Sequence, residues 1–407
     1  MLKAIEVMKE RLPKIKESAE EKKNMASRAI LYEHIIDTYG RAYERPQGTF
    51  VSWNDLPVPS PIFFAMDVIP ILPAHFAPMA VNLGKSRRLL DRAEQYGVPR
   101  DSCGFNRLDV GAALEGVMPK PDMGVAVTYC DTIIKAYDLM ARAADVPLFY
   151  LDLPYHRHEE AVSYFAKQLQ KLVQFISGIT KQPLDPERLR ETLVIAREGD
   201  EYIHKIMELR KTVPCAMSIK DGFRGQYMLF GAQGSELGLE YVKASYEELK
   251  EKVAQGKSIC SQEKHRVLWM HNAPYYDFSL LDYIEDELDT AIVIDSNSLW
   301  MSSQGPYDPD NPYESIARRF LSVSIISDDA SWADALVKYA KEFKIDGVIH
   351  FMHFGCRVYN GGCNLSKDVL MKELDIPYLQ LHADSIDDST YSPEQIRYRV
   401  ESFIESL

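Results

Sequence analysis

The sequence predicts an α/β protein with two parallel-sheet domains joined by a mainly helical region. Three observations predict it. Short apolar runs alternate with helix-periodic stretches in the first and last thirds of the chain, which is the pattern of a parallel sheet with crossover helices. The middle third carries the helical period alone. The outer thirds also share an order of elements: four buried strands, with a cysteine just past the third. At 407 residues the chain is too long for one ordinary core. The expected divisions are a helical segment over 1–45, an α/β domain over 46–157, a helical region over 158–258 and a second α/β domain over 259–407.

Residues 1–45 are charged and helix-periodic, with Ile5, Leu12, Ile30 and Ile35 among the apolar positions, and Pro46-Gln-Gly48 stops them. Thr49–Trp53 reads as a strand. Pro57, Pro59 and Pro61 make a turn into a short helix, Ile62–Met66, and Asp67–Leu72 is the second strand. Helical spacing returns at Ser86–Tyr96, and again from Cys103 through Glu115. Met123–Thr128 and Pro147–Asp152 complete the first set of strands. Helical period marks Glu159–Gly178, Pro186–Thr212 and Tyr246–Gln255, and Gly222–Gly234 is apolar enough for a buried helix. The second set of strands is Arg266–His271, Ala291–Asp295, Asp346–His353 and Pro377–Leu381, with helices near Pro312–Ile326, Ala330–Phe343 and Leu365. Pro393 in a first turn opens the last helix.

Composition removes several function classes. The net charge of -13 leaves no basic excess for a nucleic-acid partner. No apolar run is long enough to span a membrane. The first ten residues mix charges without an apolar core, so no signal peptide is expected and the cytoplasm is the expected compartment. Six cysteines in so long a chain do not make a disulfide framework, and no Cys-x-x-Cys pair occurs.

Open α/β sheets bind ligands at the carboxyl ends of their strands. Cys130 and Cys356 stand there, Cys356 within His353-Phe-Gly-Cys-Arg357. Cys103 lies in Arg100-Asp-Ser-Cys-Gly-Phe-Asn-Arg107, at the mouth of a helix. Thiols on such loops are placed to converge, as iron–sulfur clusters require. Cys363, seven residues past Cys356, is a further candidate at a helix start. Cys215 and Cys260 lie outside these motifs and read as unrelated thiols.

Cys103-Gly-Phe-Asn-Arg107, Gly116-Val-Met-Pro119-Lys-Pro121-Asp122, Cys130-Asp131 and Val146–Pro154 recur in order in one family, followed by His353-Phe-Gly-Cys-Arg357, Leu365-Ser-Lys-Asp368, Asp375-Ile-Pro377 and Tyr391–Arg397. On these pieces the chain resembles the 2-hydroxyacyl-CoA dehydratase and benzoyl-CoA reductase superfamily. The resemblance implies two flavodoxin-like domains and a four-iron, four-sulfur (4Fe-4S) cluster held by Cys103, Cys130 and Cys356. It implies a homologous second subunit, an acyl-CoA substrate and a separate ATP-hydrolysing iron–sulfur activator, through which alone ATP enters. It implies loss of water from a 2-hydroxyacyl-CoA through a ketyl radical, because an unactivated C3 proton is beyond simple acid–base chemistry. The alternatives are an ATP-dependent reductase of the benzoyl-CoA or double-cubane kind and an electron-relay subunit.

Family dehydratases often carry a Glu after the proline ending the second strand. This chain has Pro73-Ala74-His75 there, which makes His75 a candidate replacement and otherwise a surface-loop histidine. The register of Trp53–Pro57 offers no clear hydroxyl-bearing side chain. His353 is a candidate hydrogen-bond donor to cluster or substrate. Glu115 reads as a solvated face residue, and His156-Arg157-His158 as a helix start without a third metal ligand.

Overall fold

A computed structural model describes residues 5, 6, 8–10, 12, 13, 25–302, 304–323 and 329–407. Its eight strands are β1 (Phe50–Asn54), β2 (Val68–Ile71), β3 (Met123–Val127), β4 (Leu148–Leu151), β5 (His265–Met270), β6 (Thr290–Asp295), β7 (Gly347–His353) and β8 (Tyr378–Ala383). They form two four-stranded sheets, ordered β2-β1-β3-β4 and β6-β5-β7-β8. Every pairing is parallel, with Trp53 beside Ile71 and Gly124 in the first sheet and Trp269 beside Ile349 in the second. Both orders are flavodoxin-like, and the expected fold class holds. Each connection reverses direction after the second strand, so a crevice opens between β1 and β3 and another between β5 and β7. The strands beside these crevices are mostly buried, β3 at every residue, and the edge strands β2 and β6 are buried throughout as well. The outer strands β4 and β8 are half-exposed.

The middle region is helical as expected: Glu159–Thr180, Pro186–Arg210, Ile219–Gly231 and Glu236–Ala254. Local chemistry starts these helices. His158, Asp185, Ser218 and Ser235 each accept a first-turn backbone N–H through the side chain. The last helix begins ten residues before the expected Tyr246, since Gly238 inside it breaks the apolar period. Among the described residues, two helices of ten residues or more escape the sequence reading. Pro73–Asn82 contains Pro78, an unfavourable residue in a helix interior, and Asp131–Ala144 follows Cys130 directly. The N-terminal segment is helical over Arg28–Glu44; most of residues 1–24 lie outside the described residues. The helix expected to reach Ile326 is described over Pro312–Leu321.

Buried polar contacts tie the parts together. The Met25 N–H donates to Asp221 at 2.8 Å. The Ser218 hydroxyl and Ile219 N–H donate to Glu285 at 2.7 and 3.0 Å. Arg319 grips Asp200 at 2.8 and 3.2 Å. Between the two sheets, the Gly104 N–H donates to Asp384 at 3.2 Å and Arg107 to Asp387 at 3.0 Å.

Candidate active site

A cavity of about 630 Å³ lies where the two sheets present their carboxyl ends. Its lining takes Asp55 from the end of β1, Cys130 from the loop after β3, His271 from the end of β5, and His353 and Cys356 from β7 and its loop. Both crevices therefore empty into one space. Cys103 joins them from the loop ahead of the Gly104–Leu114 helix. The three thiols singled out in the sequence, together with His353 and His75, all line it.

Each of the three cysteines is the residue before a helix: Gly104–Leu114, Asp131–Ala144 and the short Arg357–Gly361. First-turn backbone N–H groups face each sulfur: Asn106 at Cys103, Ile133 and Thr132 at Cys130, Tyr359 and Val358 at Cys356. Such donors suit a thiolate. Burial works against them. It pushes all three thiols up, that of Cys356 to about 12, and the neighbouring thiols and Asp384 add to the rise at Cys103. The groups are thus neutral alone, and a bound cation would draw off their protons. The donor set fits an iron–sulfur cluster: three converging sulfurs, each with backbone N–H partners. Among the described residues, no three His, Cys, Asp or Glu side chains are grouped to hold a single metal ion. A cubane spreads its thiolates further apart than one ion does. Cys363 is buried against β8, where Gln380 donates to its sulfur at 3.9 Å, and it does not line the cavity. Cys215 and Cys260 are buried side by side near Glu263 and Glu285, also outside it.

His353 is fixed at both ring nitrogens. The Ser385 N–H donates to Nδ1 at 2.9 Å, so Nδ1 carries no proton. Nε2 must then carry it in the neutral ring, and it lies 3.2 Å from the Cys103 sulfur. His353 donates to that sulfur. Burial lowers the pKa of the ring and Asp384 opposes this, with Nδ1 3.5 Å from its carboxylate. Phe105 and His271 meet the ring edge-on at 5.4 and 5.5 Å, and Tyr359 stacks on His271 at 4.2 Å.

Two glycines explain why these loops can meet. Gly355 has φ +70, and a Cβ there would sit 2.5 Å from the Cys103 nitrogen. A Cβ on Gly104 would collide with the Asp384 carboxylate. The Cys103-Gly104 and Gly355-Cys356 words are a backbone-to-backbone contact written in sequence.

Asp55 is the residue that the sequence reading passes over. It is buried, and its Oδ2 has no hydrogen-bond partner. Burial raises its pKa well above the usual carboxylate range, against backbone N–H groups of Leu56 and Val127. The group is a neutral acid at the cavity wall, able to give a proton to an oxygen beside it. Its place at the end of an apolar strand was the available signal; the prolines that follow made it read as a turn. His75 is not on a surface loop. It lies in the Pro73–Asn82 helix, with both ring nitrogens shut off from solvent and burial bringing its pKa down to about 3. It is neutral and cannot replace a carboxylate as a charged group. Glu115 pairs with Arg88 and Arg92 near the surface, and His158 caps its helix through Nδ1.

The sequence model of a family described as 2-hydroxyglutaryl-CoA dehydratase, D-component, matches residues 56–407. The chain is 22% identical to the (R)-phenyllactyl-CoA dehydratase alpha subunit of Clostridium sporogenes, over 89% of this chain and 91% of that one. It is 23% identical to the (R)-2-hydroxyisocaproyl-CoA dehydratase alpha subunit of Clostridioides difficile, over 94% and 96%. A benzoyl-CoA reductase subunit of Thauera aromatica is 23% identical over 89% of both chains.

Proposed function

The chain belongs to the 2-hydroxyglutaryl-CoA dehydratase D-component family, and from that premise we propose that it is the iron–sulfur subunit of a 2-hydroxyacyl-CoA dehydratase. Cys103, Cys130 and Cys356 hold a 4Fe-4S cluster in the cavity between the sheets. The observation that carries this reading is the meeting of three distant thiols at one crevice, each faced by first-turn N–H groups. A bound cluster of this kind supplies a low-potential electron and a Lewis-acidic iron to a thioester.

The chain's own residues do the rest. His353 holds the Cys103 sulfur in place through its Nε2–H. Asp55, a neutral acid at the wall, gives its proton to the departing hydroxyl, which leaves as water. The carboxylate so formed then accepts the C3 proton, which restores the acid and balances the dehydration. The apolar wall keeps bulk water from the reacting carbons. A homologous second subunit and an ATP-hydrolysing activator complete the system, and the compartment is the cytoplasm. The reductase alternative rests on the benzoyl-CoA reductase relative and on the lack of a carboxylate at Pro73-Ala74-His75. In that case the electron would be consumed and no water released.

Anaerobic purification followed by iron and sulfide analysis tests the reading. About four irons per chain are expected. Cys103→Ser, Cys130→Ser and Cys356→Ser should each lower that content, and Cys363→Ser should not. Asp55→Asn should keep its iron and lose turnover with activator and thioester present. An iron-free wild-type chain would overturn the reading, and a reduced acyl product in place of an enoyl one would favour the reductase.

A further inference from the structure

The thioester reading leaves the acyl group unnamed, and the cavity wall narrows it. Three helices that carry none of the three cysteines build part of that wall. They contribute Leu31 and Ile35 from Arg28–Glu44, Pro78 and Met79 from Pro73–Asn82, and Tyr227 and Phe230 from Ile219–Gly231. His75 packs among them, with ring centroids 4.6 Å from Tyr227 and 6.1 Å from Phe230. Among the described residues its two buried ring nitrogens have no hydrogen-bond partner, and it is the neutral aromatic ring that packs on Tyr227 and Phe230. Among the described lining residues, Arg224 carries the one formal positive charge, and its Nη1 lies 3.2 Å from the buried Asp221 carboxylate. The one formal acid in that lining is Asp55, held neutral by burial. An acyl group ending in a carboxylate would lose its water here and find the one cation of the described lining already committed to Asp221. An uncharged chain or ring would bury apolar surface against apolar surface.

We propose that this cavity selects CoA thioesters whose acyl group is uncharged and apolar, and rejects those ending in a carboxylate. The inference rests on the acyl-CoA reading above. Neutral wall residues set the preference, and the thiol end of the cavity is common to every acyl group.

Equilibrium dialysis of the full chain tests it. The protein is purified anaerobically with any subunit that accompanies it, and the probes are hexanoyl-CoA, adipoyl-CoA and free CoA. The first two match in carbon number and differ by a terminal carboxylate. Hexanoyl-CoA is expected to bind about a hundredfold more tightly than adipoyl-CoA, and more tightly than free CoA. Met79→Lys, which adds an ammonium group to the wall, should narrow that gap to about tenfold or less. If this variant does not fold, the wild-type comparison decides alone. Equal binding of the two thioesters, hexanoyl-CoA no tighter than free CoA, or an unchanged gap in folded Met79→Lys would overturn the inference and leave the thioester reading standing. Should none of the three compounds bind, the thioester reading fails and this inference with it.

Discussion

His353 accepts at one ring nitrogen and donates at the other, and that asymmetry gives it a measurable task. A donor on a thiolate sulfur withdraws charge from it and favours the reduced cluster. A hydrogen bond of about 1 kcal/mol corresponds to roughly 40 mV for a one-electron couple. With the proposed cluster bound, His353→Phe should therefore keep the iron and move the midpoint potential negative by roughly that amount, read by an EPR-monitored redox titration. An unchanged potential at full iron content would show that the bond has no influence on the metal. At this scale the sequence was uneven. The cysteines announced themselves through the glycines beside them, because Gly355 must pass close to the Cys103 backbone. Asp55 and His75 carried no comparable sign: their neutrality comes from burial by residues far off in the chain, Tyr227 and Phe230 among them for His75.

The Ile219–Gly231 helix supplies part of the cavity wall and is anchored at its start by Glu285, in the turn of helix at Tyr283–Glu287. Burial lifts the Glu285 pKa from 4.5 to about 7, against the hydrogen bonds from Ile219 and Ser218. The native state thus holds a proton that the unfolded chain releases. This carboxyl's contribution to stability is complete below about pH 4.5 and is lost as the pH rises to about 7, a change on the order of 3 kcal/mol. Glu285→Gln keeps the shape and removes the proton. Urea unfolding at a series of pH values should show the wild type losing stability relative to the variant across that window, and parallel curves would contradict the assignment. The helix itself was readable from its apolar run, as Gly222–Gly234 against the observed Ile219–Gly231. The Pro73–Asn82 helix was not, because Pro78 masks it and tertiary packing overrides the local preference.

Across the whole molecule, Arg107 is the clasp. It is almost wholly buried and donates to Glu94 at 2.8 Å on its own side and to Asp387 at 3.0 Å beyond β8, with Asp384 at 3.8 Å. Arg107→Leu would take the buried cation from beside Asp384 and leave Asp387 only Arg87, 3.5 Å away, at a cost of about 3 kcal/mol. It would also loosen the Cys103 loop against the Cys356 loop. A lower urea midpoint together with lower iron content after anaerobic purification is the expected result, with partial recovery in Arg107→Lys. A normal midpoint and a full iron content would remove the clasp from the account.

Periodicity, helix caps and strand-end cysteines are local properties, and so the sequence by itself determined two parallel sheets, the helical region between them and the three thiols. The cavity belongs to tertiary structure. Whether Asp55 is an acid or an anion, whether His75 is a loop residue or an aromatic wall, and whether Cys363 faces the crevice or β8 depend on what desolvates each group. Desolvation is set by neighbours that the fold brings up from other elements, as Tyr227 and Phe230 are brought to His75, which no local pattern encodes.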